Sequence, residues 1–404
     1  MKAEVLVVGG GPAGASTAWA LARAGVDVLI LDRARFPRDK PCAEYLSPQA
    51  SRILDAMGVL EAAESAGAAQ LSGMMVRSPS GLAFRGDFAA SHGFRGFRDR
   101  GIALRRRLLD PLLLASATRA GARLQEDVRV RDVVRDGSGR VIGVETDGGR
   151  TVHARLVIGA DGLRSVVARR LGLARTASWP RRLALVTHYT GVADMGASGE
   201  MHVERDGYLG LADVGSGFTN VALVIPVRGA RMIGGDPAQY LERWIARRPH
   251  LTPRFAGATR VAPVQATGPF AQRAHRAWAP GAALVGDAAD FFDPFTGEGI
   301  YAALRGGELL LPYAFEAARA SSARVADVAL AAYDRCRRHH FAGKWRVERL
   351  VAAAVSSSRL MNRAARVLSS RREMADLFVG VAGDFVPPRE VLRPSYLLAL
   401  LGHI

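Results

Sequence analysis

The stretch Gly9-Gly10-Gly11-Pro12-Ala13-Gly14 constrains this chain more than any other, because it joins a short apolar run to a helical pattern. Ala3 to Val8 is continuously apolar, as expected of a parallel strand buried on both faces. Pro12 suits a first helical turn and Gly25 a helix end, so a helix is predicted over 12–24, with a second strand over 26–31. In such a strand-helix-strand unit Gly9 permits the tight turn, Gly11 lets the backbone approach a pyrophosphate, and Gly14 lets the helix pack closely on the strand. The helix N-terminus offers free N–H groups and a positive dipole end to phosphates, worth about 0.3–2 kcal/mol per charge. Asp32 closes the second strand about twenty residues after the glycines, where a carboxylate accepts hydrogen bonds from ribose hydroxyls. The pattern reads as a dinucleotide site and does not by itself separate one dinucleotide from another.

Residues 33–47 lack periodicity and hold Pro37 and Pro41, which predicts a long loop ahead of a helix over 48–57. Short strands are expected within 71–100 and a helix over 107–120. A hairpin is expected from 128–134 and 141–146 around Asp136-Gly137-Ser138-Gly139, then a strand over 151–158 running into Gly159-Ala160-Asp161-Gly162. From Leu183 to Val227 strands follow one another without helices, the pattern of an antiparallel sheet in a second unit. An apolar strand over 282–285 leads into Gly286-Asp287, and beyond Gly297 the periodicity is helical to Ala382. For 404 residues this suggests two interleaved domains and an appendage. The nucleotide unit is expected over 1–70, 101–182 and 262–320, the second unit over 71–100 and 183–261, and a helical region over 321–404.

Three motifs in order carry a resemblance. GxGxxG, then Gly159-Ala160-Asp161-Gly162-x-x-Ser165, then Gly286-Asp287-Ala288-Ala289 with Pro294-x-x-Gly297-x-Gly299, resemble the p-hydroxybenzoate hydroxylase superfamily of flavoproteins over residues 1–312. Lys40-Pro41-Cys42 and Asp293-Pro-Phe-Thr-Gly-Glu-Gly-Ile300 look most like its geranylgeranyl-reductase-like branch. The resemblance implies an α/β fold: a Rossmann-like FAD-binding domain interleaved with an antiparallel-sheet substrate domain, plus a helical C-terminal part. It implies FAD as cofactor, with NADPH or NADH visiting transiently, since no second GxGxxG follows a strand and Gly215-x-Gly217 lies in a predicted β-turn. Asp287 would bind the ribityl or pyrophosphate side of FAD, and the backbone of Gly297, Glu298, Gly299 and Ile300 would face the flavin's pyrimidine end. Helix-initiating N–H groups suit the negative charge of a reduced flavin there. Asp161 resembles the motif acid that serves both FAD and the nicotinamide nucleotide, and Arg106 the arginine that reaches the cofactor, with Arg105 and Arg107 as competing neighbours. Pro12, Ala13, Arg33, Val130, Gly286 and Pro294 complete the implied cofactor contacts. Cys42 lies in the loop the family places beside the isoalloxazine, which makes it both a catalytic candidate and a cofactor contact; the alternative is a buried small hydrophobe. Ala43 stands where the branch's Lys-x-Cys-Gly has glycine, which weakens a catalytic transfer.

The leading expectation for the reaction is NAD(P)H- and O2-dependent hydroxylation of a small lipophilic aromatic or polyketide-like substrate, an activity of secondary metabolism. Reduction of prenyl double bonds is the alternative. Pro-Phe-Thr-Gly-Glu-Gly-Ile favours reduction, whereas Ala43 and the lack of the branch's Tyr-x-Trp-x-Phe-Pro near Tyr208-Leu-Gly-Leu-Ala212 favour hydroxylation. A third reading is an FAD-binding maturation or interaction partner that docks another protein through the C-terminal helices. A halogenase reading lacks its Trp-x-Trp-x-x-Pro segment. Tyr208, Phe218, Phe291, Phe292 and Phe295 are candidates to line a substrate cavity, with core packing as the default.

Composition removes other classes. The net charge is +17, and with Lys2, Lys40 and Lys344 as the only lysines nearly all of it is arginine. Those arginines are scattered from Arg23 to Arg393, which argues against nucleic acid and for a field that attracts anionic cofactors or acidic membrane surfaces. Cys42 and Cys336 cannot form a disulfide framework, and neither cysteines nor histidines show metal-ligand spacing, so no metal is expected and a reducing cytoplasm fits. No apolar run is long enough to span a bilayer, so a soluble protein is expected, with peripheral membrane contact left open. Nothing in the sequence assigns an oligomeric state.

Overall fold

The computed structural model describes every residue except Met1, Ser91, Leu401, His403 and Ile404. In chain order, the elements that position the site begin with β1 (Lys2–Val8), α1 (Pro12–Arg23), β2 (Val28–Leu31), β3 (Gly73–Arg77), β4 (Ala83–Asp87) and α2 (Arg106–Arg119). They continue with β5 (Arg123–Gln125), β6 (Val130–Arg135), β7 (Val141–Thr146), β8 (Thr151–Gly159), α3 (Val166–Arg170), β9 (Arg182–Thr190) and β10 (Ser198–Glu204). After β11 (Gly207–Asp213), β12 (Phe218–Pro226), α4 (Pro237–Ala246) and β13 (Ala282–Leu284), the chain is helical: α5 (Gly299–Arg319), α6 (Ala323–Val355), α7 (Ser358–Ser370) and α8 (Arg372–Ala382).

β1 lies inside a parallel sheet of order β13-β8-β1-β2-β5. Its apolar run is needed because Val5, Leu6 and Val7 are all buried and neither face meets water. β6 and β7 form the expected hairpin, which pairs with the first residues of β8. The carboxyl ends of β1, β2 and β8 therefore deliver Gly9, Asp32 and Asp161 to one crevice, where open α/β sheets bind their ligands.

The second sheet has the order β9-β12-β11-β10-β3-β4 and is antiparallel except for the β10–β3 pair. Gln265–Thr267 adds alongside β9, so this sheet runs past residue 261. Its two faces differ. Leu185, Leu209, Leu223 and Ile225 pack outward against Leu241, Trp244 and Ile245 of α4. Inward, the smaller Ala184, Val186 and Ala222 face the nucleotide unit. The sequence reading had no helix at α4, although the signal is present: Pro237 opens it and Asp236 accepts from the N–H groups of Ala238 (2.9 Å) and Gln239 (3.0 Å).

The C-terminal helices brace both units. Tyr333 on α6 donates its hydroxyl to the Leu284 carbonyl (2.9 Å) on the first sheet, and Asp376 on α8 accepts from the Asp87 N–H (2.8 Å) on the second. Among the described residues no helix is long and apolar enough to cross a membrane, and no group of His, Cys, Asp and Glu is placed to hold a metal. α5 lies directly on α1, and a Cβ at Gly307 would sit 2.6 Å from Ser16 Oγ and 2.9 Å from the Thr17 nitrogen. Gly307→Val is therefore expected to destabilise the protein by about 1–3 kcal/mol through overpacking, seen as a lower urea midpoint with an unchanged slope.

Candidate active site

The glycine turn is built for close approach. Gly9 has φ 105°, and a Cβ at Gly14 would lie 1.8 Å from the Gly9 carbonyl oxygen, so only glycine lets α1 start this near β1. A Cβ at Gly11 would meet nothing nearer than Arg106 Nη2 at 3.6 Å and Arg38 Nη2 at 3.9 Å, which leaves the α1 N-terminus open toward two guanidinium groups. Gly11, Pro12 and Ala13 all line a cavity between the two sheets. This arrangement fits the pyrophosphate of FAD: a positive helix end, an unobstructed backbone and two cations. Asp32 holds the turn itself, accepting from the N–H of Gly10 (2.6 Å) and of Ala34 (2.8 Å).

Arg106 forms a bidentate pair with Asp110, 2.7 and 2.8 Å, while Arg38 reaches the same carboxylate at 2.9 Å. Burial works to lower the Arg106 pKa, but Asp110 and then Cys42 hold it well above the ordinary arginine value, so it is a fixed positive charge. Burial lowers Arg38, with Asp110 opposing. Lys40 and Asp287 face each other across the same cavity. Burial, then Arg106, lowers Lys40, and burial raises Asp287 while Lys40 and Arg106 oppose.

The Asp293–Ile300 segment lines the opposite wall. Asp293 accepts from Arg182 (2.6 Å), from the Tyr208 hydroxyl (2.8 Å) and from the Phe295 N–H (3.1 Å), which fixes the turn over Pro294–Thr296. Burial, then Asp293, holds the Tyr208 phenol well above its usual value, so it stays a neutral donor. Gly297 follows at φ 72°, and a Cβ there would strike Tyr45 at 2.9 Å. Gly297, Gly299 and Ile300 line the cavity ahead of α5, with backbone at a helix start toward it. The Glu298 side chain turns away to Lys344 (3.0 Å), which also contacts Asp384.

Between these walls the cavity opens on the inner face of the second sheet. Ala184, Gly199, Gly210 and Ala222 form its floor, and Phe270, Phe291 and Phe295 also line it. A Cβ at Gly199 would meet nothing within 4 Å. Cys42 lines the same space, and its sulfur accepts from the Glu44 N–H at 3.3 Å.

Not every expected contact falls here. Arg33 is exposed at the start of the loop after β2, and Val130 is buried in the core at the start of β6, outside the cavity lining. Gly286 (φ 62°) lies against Ala13, where a Cβ would come within 2.8 Å. The Asp161 carboxylate is occupied with capping α3, accepting from Ser165 Oγ (2.5 Å) and from the Val166 N–H (2.6 Å); burial nonetheless raises it. Arg38, Glu44, His188 and Asn220 were not among the candidates. Arg38 and Glu44 flank Lys40-Pro41-Cys42, the one local hint, whereas His188 and Asn220 carry no sequence signal.

Behind the Asp293–Ile300 segment, burial and then the Glu298 carboxylate push Glu348 up to about 8, with Lys344 opposing. The folded state thus binds this proton more tightly than the unfolded chain. The associated stability is complete below the ordinary value of 4.5 and is lost as pH rises toward about 8. Glu348→Gln is expected to melt with wild type near pH ~4 and above it near pH ~9, in thermal scans at both pH values. Asp287→Ala should purify with much less yellow cofactor than wild type; equal flavin content would remove Asp287 from the site.

The chain matches the family model described as an FAD binding domain over residues 2–311. A digeranylgeranylglycerophospholipid reductase of Methanopyrus kandleri is 33% identical over 329 residues, 78% of this chain and 78% of that protein. A menaquinone reductase of Mycolicibacterium smegmatis is 30% identical over 410 residues, covering 95% of this chain and 92% of that one. Among solved structures, a flavoprotein/dehydrogenase from Cytophaga hutchinsonii matches with TM-score 0.85 at 20% identity, covering 100% of each chain. A myxobacterial chondrochloren halogenase matches with TM-score 0.79 at 23% identity, covering 99% of this chain and 97% of that one. At those identities the structural likeness is one of fold. The family model spans both the glycine turn and the Asp293–Ile300 wall, and the relatives span the second sheet between them: the chain is an FAD-dependent oxidoreductase of the p-hydroxybenzoate hydroxylase superfamily, in its geranylgeranyl-reductase-like branch.

Proposed function

We propose that the enzyme reduces a double bond in a lipophilic, isoprenoid- or quinone-type substrate, with FAD supplying hydride and NADPH or NADH reducing the flavin transiently. The observation that carries this reading is the shape and chemistry of the cavity. Its floor of alanine and glycine and its phenylalanine walls accept an apolar body, while Lys40, Arg106 and Asp287 stand toward the glycine turn and Glu200 on the sheet is neutralised by Arg254. The names of the two sequence relatives support it, since both are reductases and one aligns with nearly the whole chain. Arg346, Arg349, Arg359 and Arg363 are exposed on α6 and α7 beside exposed Leu350 and Leu360, a surface suited to peripheral contact with an acidic membrane that would hold such a substrate.

The second reading is the hydroxylation that the sequence motifs favour. Ala43 in place of the branch glycine, and the missing aromatic lipid motif near Tyr208, are the observations on its side. One experiment separates the two: NADPH consumption, oxygen uptake and peroxide release followed with polyprenyl and naphthoquinone lipids, in air and under strict anaerobiosis. Reduction predicts full anaerobic turnover to a product two hydrogen atoms heavier. Substrate-coupled oxygen uptake, absent without oxygen, would transfer the assignment to hydroxylation, and no turnover with any lipophile would defeat both.

A further inference from the structure

The loop beside the cofactor and the second sheet meet at one buried carboxylate. Glu44 is 2% exposed and is held at φ 61°, a left-handed conformation that non-glycine residues adopt only where their surroundings enforce it. Its Oε1 accepts from the Arg106 N–H (2.8 Å), which supplies α2 with the N-terminal cap that Arg105 does not provide. Its Oε2 accepts from Asn220 Nδ2 (3.0 Å) and lies 2.6 Å from His188 Nε2. Its carbonyl accepts from the Leu104 N–H (3.1 Å). His188 and Asn220 face each other across β9 and β12, and Asn220 also donates to the Cys42 carbonyl (2.8 Å). Glu44 lines the cavity, while the His188 side chain is 14% exposed and so retains an edge toward solvent.

Any redox step in this largely apolar cavity that transfers a hydride also needs a proton to be supplied or taken away. Of the other titratable side chains along the lining, the Tyr45 hydroxyl is buried with no hydrogen-bond partner among the described residues and so has no hydrogen-bonded route to water, Cys42 Sγ accepts from the Glu44 N–H, and the rest are engaged elsewhere. Arg106 is paired with Asp110, Lys40 and Asp287 face each other at the cofactor end, Tyr208 donates to Asp293, and the Glu200 carboxylate is bound to Arg254 and His202. Around the pair, Arg106 offers its backbone N–H to Glu44 while its guanidinium is turned to Asp110, Cys42 Sγ accepts from the Glu44 N–H, and the Arg105 guanidinium stacks on Phe218, 3.9 Å from its ring centre, in the strand next to β9.

We propose that His188 and Glu44 form the proton relay of the cavity. Glu44 exchanges the proton with the substrate, and His188 acts through it as the link to solvent. The proposal rests on the reading of the cavity as the place of flavin redox chemistry. In double-bond reduction one carbon takes a hydride, with its electron pair, from reduced flavin, which is thereby oxidised, and the neighbouring carbon takes a proton from Glu44. Glu44 regains a proton from His188 Nε2–H, and His188 takes one from water at Nδ1. Run in reverse, the same path removes a hydroxyl proton from a substrate, so the relay serves either reaction under discussion.

The test uses FAD-loaded holoenzyme with menadione as the acceptor. His188→Gln keeps a donor toward Glu44 but cannot pass a proton on, and His188→Gly leaves room for added imidazole. With flavin content equal to wild type, anaerobic reoxidation of the reduced enzyme by menadione is expected to slow at least about tenfold in both variants, and imidazole to restore the rate in His188→Gly alone. A rate within twofold of wild type, or a loss that imidazole leaves untouched, overturns the relay. A second readout needs no turnover: in 15N-histidine protein, the ring signals missing from His188→Gln should shift in Glu44→Gln, and signals that stay in place overturn the coupling. If wild type itself ignores menadione and every lipophile, the functional reading falls while the nitrogen spectra still decide the pair.

Discussion

Asp293 is where the parts of this protein that must agree with one another are made to agree. Its carboxylate takes the Arg182 guanidinium and the Tyr208 hydroxyl from the second sheet, and the Phe295 N–H of its own turn. The substrate floor and the cofactor wall are thereby referenced to one pair of oxygen atoms. The arrangement has a cost, since two buried charges lose their hydration, and removing one partner of such a pair typically costs about 3–5 kcal/mol because the other is left uncompensated. What it secures is register. The Gly297–Ile300 backbone and the Ala184 and Ala222 floor, which line one cavity, keep a constant separation because both elements share an anchor.

The cofactor end follows a different logic, with charge arranged ahead of the ligand. Arg106 and Arg38 converge on Gly11 while sharing Asp110, so two cations are oriented by one carboxylate and retain net positive charge for an anionic pyrophosphate. The arginine content of the chain has a geometric use at this spot, where two guanidinium groups flank an open helix N-terminus. The same economy appears in Glu44, whose side chain caps α2 and tethers Asn220 while its backbone N–H donates to Cys42 Sγ.

Much of this was legible in the sequence where the physics is local. The glycine turn, the carboxylate closing β2, the hairpin of β6 and β7 and the runs of strands in the second sheet each depend on neighbours within a few residues, and each stands where the pattern puts it. The Asp293–Ile300 motif was legible as a wall of the site, but its anchoring was not, because Arg182 and Tyr208 lie 111 and 85 residues away in sequence. Glu44 and His188 are separated by 144 residues, and neither belongs to a local pattern that distinguishes it from a solvated side chain. Asp161 shows the opposite failure. The motif is plain, yet its carboxylate turns to the start of α3, a choice set by the path of the backbone after β8. Arg33 and Val130 came from the resemblance alone, and their side chains are directed to solvent and to the core.

Arg182 also ties the terminal helices to the Asp293 turn. Beyond Asp293, its guanidinium donates to the Ala352 carbonyl (3.2 Å) and to Ser356 Oγ (2.7 Å) at the end of α6. The last quarter or so of the chain is therefore stitched to the Asp293 turn by the same side chain that stitches the sheet to it, although the matched family region closes at residue 311. Excising the segment after that boundary would strip partners from a cation in the interior and bare the apolar flank of β4. A change at Ala352 or Ser356 therefore alters the partners of a cation that also holds the Asp293 turn, which makes the tail part of the frame and not a detachable accessory.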